Sequence, residues 1–467
     1  MALQVYNSFS RGKEEFVPLV EGKATMYVCG VTPYDHAHMG HARAAVTFDV
    51  VRRFLEFKGY EVRFLTNFTD IDDKIIRRAN EEHVGWKTIP EKYSAEYVDE
   101  MKRLNVLPPE KYALATEHIP QIIRLVGKLV DKGYAYSAGN GDVYFRVSRF
   151  KEYGKLSNQR LEQLVAGARI EPGEAKEQPE DFALWKASKP GEPSWASPWG
   201  KGRPGWHIEC SAMISSFFGP SIDIHGGGAD LLFPHHENEI AQSECATGEK
   251  LARYWMHNGL LQVGEEKMSK SLKNFLSLKD ALASFEPDAI RLFFLTTHYR
   301  SPLKYGPESL AEAQEALSRL ENARANLAET IAQEIHGKET TAKKAEAIET
   351  EFLSAMEDDF NTAKALSHLF ELARLCNASA GRATETESRS LLETFERLGR
   401  TLGLFEKRTG KKPPRGVDAA WIEAKLAERQ GAREAKDYAA SDAIRRELLG
   451  KGVVVEDTPK GQRWHAA

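Results

Sequence analysis

Nothing in these 467 residues is long and apolar enough to cross a membrane, for no run of about 18 apolar residues occurs. The opening stretch, MALQVYNSFSRGKEE, lacks the apolar core of a secretory signal, so a cytoplasmic location is the expectation. Cysteine is scarce. Cys29, Cys210, Cys245 and Cys376 are the whole supply, which excludes a disulfide framework and fits a reducing compartment. Charge of either sign is not in excess, and a formal net charge of −4 carries no electrostatic footprint of a polyanionic partner. No internal repeat or low-complexity tract is visible, which excludes a repeat architecture. What remains is the composition of an ordinary soluble globular protein, 42% apolar and 28% charged. Its length suits about two to four domains.

Residues 24–29 (ATMYVC) read as a buried strand, followed by a loop with Gly30, Pro33 and Gly40. A helical stretch, HARAAVTFDVVRRFLEFKG, ends on Gly59, and residues 60–68 read as the next strand. Strand, glycine-containing loop, helix, strand opens a doubly wound parallel sheet. Its ligand crevice is expected at the carboxyl ends of the strands, where the loop 29–41 falls. In the segment SIDIHGGGADLLFPHHENEIAQSECATGE a strand leads through three glycines to a helix expected to begin near Pro234.

The expected fold is therefore α/β, a Rossmann-like parallel-sheet domain with an insertion, then an α-helical bundle and a small α/β C-terminal domain. The expected spans are 1–120 (first half), 121–205 (connective insertion), 206–307 (second half), 308–407 (bundle) and 408–467 (linker and small domain). In the bundle, Leu310, Leu317, Leu320 and Leu327 fall on one helical stripe.

Two short motifs suggest phosphate chemistry. His38-Met39-Gly40-His41 stands where the first loop enters the first helix, whose N-terminal N–H groups and dipole attract phosphate. Gly40 permits close backbone approach, and two imidazoles can donate to phosphoryl oxygens. The plainer alternative is a pair of surface histidines. Lys267-Met268-Ser269-Lys270-Ser271 lies in a Gly- and charge-rich loop, where two lysines with hydroxyls between them suit a clamp on a polyphosphate. Its plainer alternative is a solvated basic loop.

Helical geometry selects one further pair. His235 and Glu239, four apart, are separated by about 400° of rotation and share a face, whereas His236 is turned about 100° away. Any partners for this pair come from elsewhere. Cys29, at a strand's carboxyl end, and Cys210, before the second half's helix, are both expected to point into the crevice. Cysteine, histidine and glutamate are ligands that zinc accepts, though each singly is also an ordinary core or ion-pairing residue.

The combination of HMGH with KMSKS resembles the signature pair of the class I aminoacyl-tRNA synthetases. YVCGVTPYDHAHMGH, GWHIECS and FPHHENE resemble one branch closely, the cysteinyl-tRNA synthetases. The likeness runs through nearly the whole chain, including DAIRLFFL at 288–295 and the DTPKGQRW tail. Met39 departs from the commoner Ile, a swap of little consequence for packing.

The resemblance implies activation of L-cysteine with ATP and Mg2+, then transfer to tRNA(Cys), with His38, His41, Lys267 and Lys270 stabilising charge. It implies one zinc per chain, on Cys29, Cys210, His235 and Glu239, to select the substrate thiol. It further implies Gly30, Thr32 and Thr69 near the amino acid, Trp206 as a pocket wall, His225 near the substrate carboxylate and Asp230 near the adenosine. Gly40, Met268, Ser269 and Ser271 complete the ATP-binding set. Arg463 and Trp464 are candidates to meet unpaired anticodon bases. A monomer is expected. Two rivals compete: a cysteine ligase of the mycothiol pathway, which shares the core but lacks the anticodon module, and a noncatalytic zinc-stabilised RNA-binding protein.

Overall fold

The structure is a computed structural model describing residues 2–159, 175–263, 266–267, 277–334, 337–338, 340–405, 417–435, 437–458 and 461–466. It divides into two compact units, 1–404 and 405–467. No helix among the described residues is long and apolar enough to cross a membrane.

At the centre of the first unit is a five-stranded sheet. Its order is Ala252–Asn258, Ile222–Gly228, Lys23–Val31, Glu61–Phe68 and Lys111–Leu114, all neighbours parallel. Such sheets are covered on both faces, which is why Met26, Tyr27, Leu65, Ile222 and Ile224 are all buried. The helix Met39–Phe57 returns the chain after the first strand, burying Val46, Val50 and Phe54 on one face. Gly59, at φ 91°, supplies the left-handed turn beyond its end. Sequence order reverses between Lys23–Val31 and Ile222–Gly228, and a crevice opens at such a point beyond the carboxyl ends.

Between the halves stand the helix Ile119–Asp131 and an antiparallel sheet of Ala135–Ser137, Val143–Phe145, Phe182–Ala187 and Gly202–Pro204. Phe145, Leu184 and Trp185 from that sheet share a core with Ile208 and Ala212 of the helix Trp206–Phe218. The insertion thus braces the helix that carries Trp206 and Cys210. Four helices follow, Pro307–Ala332, Ala342–Glu357, Thr362–Ser379 and Glu385–Thr401. Leu310, Leu317, Leu320 and Leu327 are wholly buried, as their stripe requires.

The second unit has a core of its own. Ile422, Leu426, Ile444, Leu448, Val453, Val455 and Trp464 pack two helices, Ala419–Glu434 and Tyr438–Gly450, on a strand pair. Trp464 is 4% exposed and donates its indole N–H to Glu423 at 2.8 Å, so it serves this core and is not free to stack on a base. The side chain of Arg463 lies outside the described residues.

One local reading agrees with the sequence expectation and one differs from it. After the three glycines the chain turns helical at Pro234, as expected, and passes into the regular helix Glu237–Thr247. Proline drives the residue before it to extended backbone, and Phe233 sits at φ −139°, ψ 136°. Cys210 lies within the helix Trp206–Phe218, not ahead of it.

Candidate active site

Four side chains from four elements converge near the carboxyl end of Lys23–Val31. Cys29 Sγ is 3.8 Å from Cys210 Sγ and 3.3 Å from Glu239 Oε1. His235 Nε2 is 3.6 Å from Cys210 Sγ and 3.0 Å from Glu239 Oε1. All four donor atoms lie within 4.8 Å of one another. Ligands about 2.0–2.3 Å from a tetrahedral ion stand about 3.3–3.8 Å apart, so the donors are spaced and typed for zinc. His235 belongs to the turn preceding the helix that carries Glu239, yet the spacing of four still brings them together.

The electrostatics favour a cation here. Glu239 is fully buried, and against that burial His225 and His235 hold its carboxyl well below the usual range. Burial alone would depress the His235 imidazolium, but Glu239 and the contact with Cys210 hold it up to about 10. Hydrogen bonding from Cys29 brings Cys210 down to about 6, while burial pushes Cys29 itself up. A metal bound there would release the protons that its ligands still hold.

A second set, Cys29, His225, His236 and Glu239, is also close enough to hold an ion. Each of its two extra histidines has one ring nitrogen engaged and the other buried without a hydrogen-bond partner among the described residues. His225 Nε2 is 2.8 Å from Glu239 Oε2, and His236 Nδ1 is 2.8 Å from His257 Nε2. His257 reaches Ser8 Oγ at 2.8 Å in turn. These contacts orient Glu239 and wall the site, as outer partners of metal ligands do.

His38 caps the helix Met39–Phe57. Its Nδ1 accepts from the His41 backbone N–H at 3.2 Å, and the His38 N–H donates to His41 Nδ1 at 3.3 Å. The rings stack with centroids 3.5 Å apart. A Cβ on Gly40 would stand 2.9 Å from the His38 ring, so the glycine is what lets the rings pack this way. Met39 is fully buried beneath them.

One cavity of about 420 Å³ joins these features, lined by Cys29, Gly30, Thr32, His38, Gly40, His41, Trp206 and Asp230 among others. Trp206 stacks on His235 with centroids 4.3 Å apart and remains 41% exposed, forming a wall. Thr69 and His225 do not line the cavity. The Thr69 hydroxyl donates to Glu209 Oε2 at 2.8 Å, and His225 is fully buried, stacked on Trp255 at 4.4 Å. Met268, Ser269, Lys270 and Ser271 lie outside the described residues, as does the side chain of Lys267, whose backbone ends the short strand Glu266–Lys267.

Sequence reasoning passed over several residues around this cavity. His236, turned away from His235 by the helical wheel, is buried against His225, Trp255 and His257 beside the candidate metal ligands. His36 lines the cavity and contacts Glu96, 60 residues on, which no local pattern marks. Beyond the lysine-rich loop, Leu278 N–H donates to Ala37 O at 2.9 Å, so that segment is joined to the residue before His38.

Family comparison agrees with this geometry in extent. Residues 15–315 match the model for the tRNA synthetases class I (C) catalytic domain, 351–406 a DALR domain, and 419–464 a cysteinyl-tRNA ligase anticodon binding domain. Cysteine–tRNA ligase of Maridesulfovibrio salexigens is 48% identical, covering 99% of both chains. That of Geobacter sulfurreducens is 49% identical over 99% of both, and that of Pseudomonas aeruginosa 49% over all of both.

The chain belongs to the cysteine–tRNA ligase family.

Among solved structures, Mycobacterium tuberculosis methionyl-tRNA synthetase in complex with methionyl-adenylate superposes with a TM-score of 0.62 at 15% identity, covering 81% of this chain and 91% of that one. The LeuRS–tRNA–LeuAMS complex of Agrobacterium radiobacter superposes at 0.62 with 10% identity, covering 83% and 85%. At that identity they establish the fold alone. The match over 419–464 also tells against a ligase that lacks an anticodon module.

Proposed function

We propose that this cysteine–tRNA ligase family member charges tRNA(Cys) with L-cysteine in two steps, selecting its substrate through zinc on Cys29, Cys210, His235 and Glu239. The observation that carries the reading is the convergence of those four donors at the edge of a cavity that Cys29 lines together with the histidine-capped helix start. Bound zinc would supply a soft Lewis acid that prefers a thiolate to an alcohol, where an apolar pocket distinguishes so small a change by only about 1–3 kcal/mol.

ATP enters with Mg2+. In the first step the cysteine carboxylate attacks the α-phosphorus, giving cysteinyl adenylate and pyrophosphate. His38 and His41, locked by mutual capping, and the N-terminal amides of their helix stabilise charge on the phosphoryl oxygens. Lys267 and Lys270 neutralise the departing pyrophosphate. In the second step a terminal ribose hydroxyl attacks the adenylate carbonyl, and no protein nucleophile is needed. Trp206 walls the side-chain pocket above His235, Gly30 and Thr32 line its floor, and Asp230 serves the adenosine. Residues 419–464 bind the anticodon region. The proposal assigns the enzyme to the cytoplasm and takes one chain as the working unit.

Cysteine-dependent ATP–pyrophosphate exchange, followed by charging of a tRNA(Cys) transcript, tests this. Exchange and charging together are expected. Adenylate formed without aminoacylation would overturn the transfer step.

A further inference from the structure

The pairing of Lys23–Val31 with Glu61–Phe68 slips by one residue at the metal site. Val28 stands opposite Thr66 and Val31 opposite Phe68, so Cys29 and Gly30 together face the single residue Asn67. Bulges of this kind are rare between parallel strands and gather near active sites. A slip leaves a backbone group without its ladder partner, and buried groups of that sort must be satisfied. Here a side chain does it. The Gly30 N–H donates to Asn67 Oδ1 at 2.9 Å. The two strands are drawn so close that a Cβ on Gly30 would fall inside the Asn67 carbonyl oxygen.

Asn67 is 2% exposed and makes two further contacts toward the site. Its Oδ1 lies 3.9 Å from Cys210 Sγ, and its amide donates to Thr69 Oγ1 at 3.4 Å. Thr69 in turn meets Glu209, the neighbour of Cys210 in its helix. One carboxamide therefore touches the corner behind the first sulfur ligand and the second sulfur ligand itself. A buried amide on a strand costs free energy unless satisfied, and each of its bonds runs to this site.

We infer that Asn67 is a positioning residue that pins the bulge at Cys29–Gly30 and thereby fixes the two sulfur ligands relative to each other. It does not line the cavity. The inference rests on the proposed zinc reading. Removing its carboxamide should let the Cys29 corner relax back toward a regular ladder, loosening the thiol-selecting geometry and leaving the nucleotide side alone.

The test compares the full-length enzyme with Asn67→Ala and with Asn67→Thr, the latter keeping a strand-favouring residue should the former fold poorly. Zinc retention is measured by competition with a chromogenic chelator, and thiolate geometry by the charge-transfer absorption of the cobalt-substituted protein. ATP–pyrophosphate exchange gives KM for cysteine and for ATP. Both variants are expected to lose zinc affinity and raise the cysteine KM by about 10- to 100-fold. The ATP KM should stay within about twofold, and the cobalt spectrum should change. An unaltered spectrum and cysteine KM in a folded variant would overturn the inference, as would equal damage to both KM values. Failure of the underlying reading looks different: wild-type enzyme would then hold no zinc and activate cysteine equally well after chelation.

Discussion

At the scale of single residues, chemistry dominates packing around the cavity. Cys29 is half-buried while Cys210, His235 and Glu239 are buried, so the open side of the cluster is at Cys29. Replacing one sulfur by a weaker oxygen ligand, Cys29→Ser, is expected to reduce zinc content and raise the cysteine KM together. Metal analysis alongside exchange kinetics would show it, and full zinc occupancy with normal activation would contradict it. Gly40 offers a second residue-scale test. Gly40→Ala pushes a methyl against the His38 ring, so adenylation should slow by about tenfold or more, with zinc unchanged.

A third concerns Glu100, 2% exposed with neither carboxyl oxygen hydrogen-bonded. Burial, with Glu96 adding to it, pushes its carboxyl up to about 7. Below the ordinary carboxylate range both folded and unfolded forms hold the proton, and the residue has no pH effect. Between that range and about 7 the unfolded chain ionises first, so stability falls as pH rises and levels off above about 7. Glu100→Gln should therefore raise Tm at pH 8 and leave it nearly unchanged at pH 4. A gain of the same size at both would refute the argument.

Among the elements, the signature helix Met39–Phe57 is held from its far side by a buried ion cluster. Asp49 accepts from Arg53 Nε at 2.8 Å and from the Leu107 N–H at 2.8 Å, and it contacts Arg291. Arg291 is fully buried and also donates to Leu402 O at 2.7 Å. Taking away the carboxylate leaves a buried cation unpaired, so Asp49→Ala should cost about 3–5 kcal/mol in denaturant unfolding. A loss under about 1 kcal/mol would mean that solvent reaches Arg291.

This level also marks where sequence reading stops. The first strand, loop and helix were legible because local periodicity and Gly59 specify them. So was the His235–Glu239 pairing, a matter of spacing by four. Asn67 was not, for its role depends on a slipped register between strands, and register is a long-range property. The helix start near Pro234 was legible, because a proline forces extended backbone on the residue before it, here Phe233. Trp464 looked like an RNA contact because an aromatic near a basic tail is consistent with both roles. Only the pairing of Val455 with Trp464 and the bond to Glu423 assign it to a core.

For the whole molecule, the division of labour follows from where the cores lie. The cavity is lined by residues from Val28 to Leu261, all within the first unit, and every candidate zinc ligand lies there too. The second unit has a separate core centred on Ile422, Leu448 and Trp464. Independent cores fold and function independently to a first approximation. A chain ending after Leu404 should therefore keep cysteine-dependent ATP–pyrophosphate exchange within about threefold of the full chain, since the cavity keeps its walls. Charging of tRNA(Cys) depends on the added contacts of the anticodon-binding unit, and those few kcal/mol correspond to about 100-fold or more in kcat/KM. The loss should appear chiefly in the tRNA KM if the unit contributes binding alone. A fall in exchange comparable to the fall in charging would show that the second unit supports the catalytic domain itself, and the two cores would then have to be treated as one folding unit.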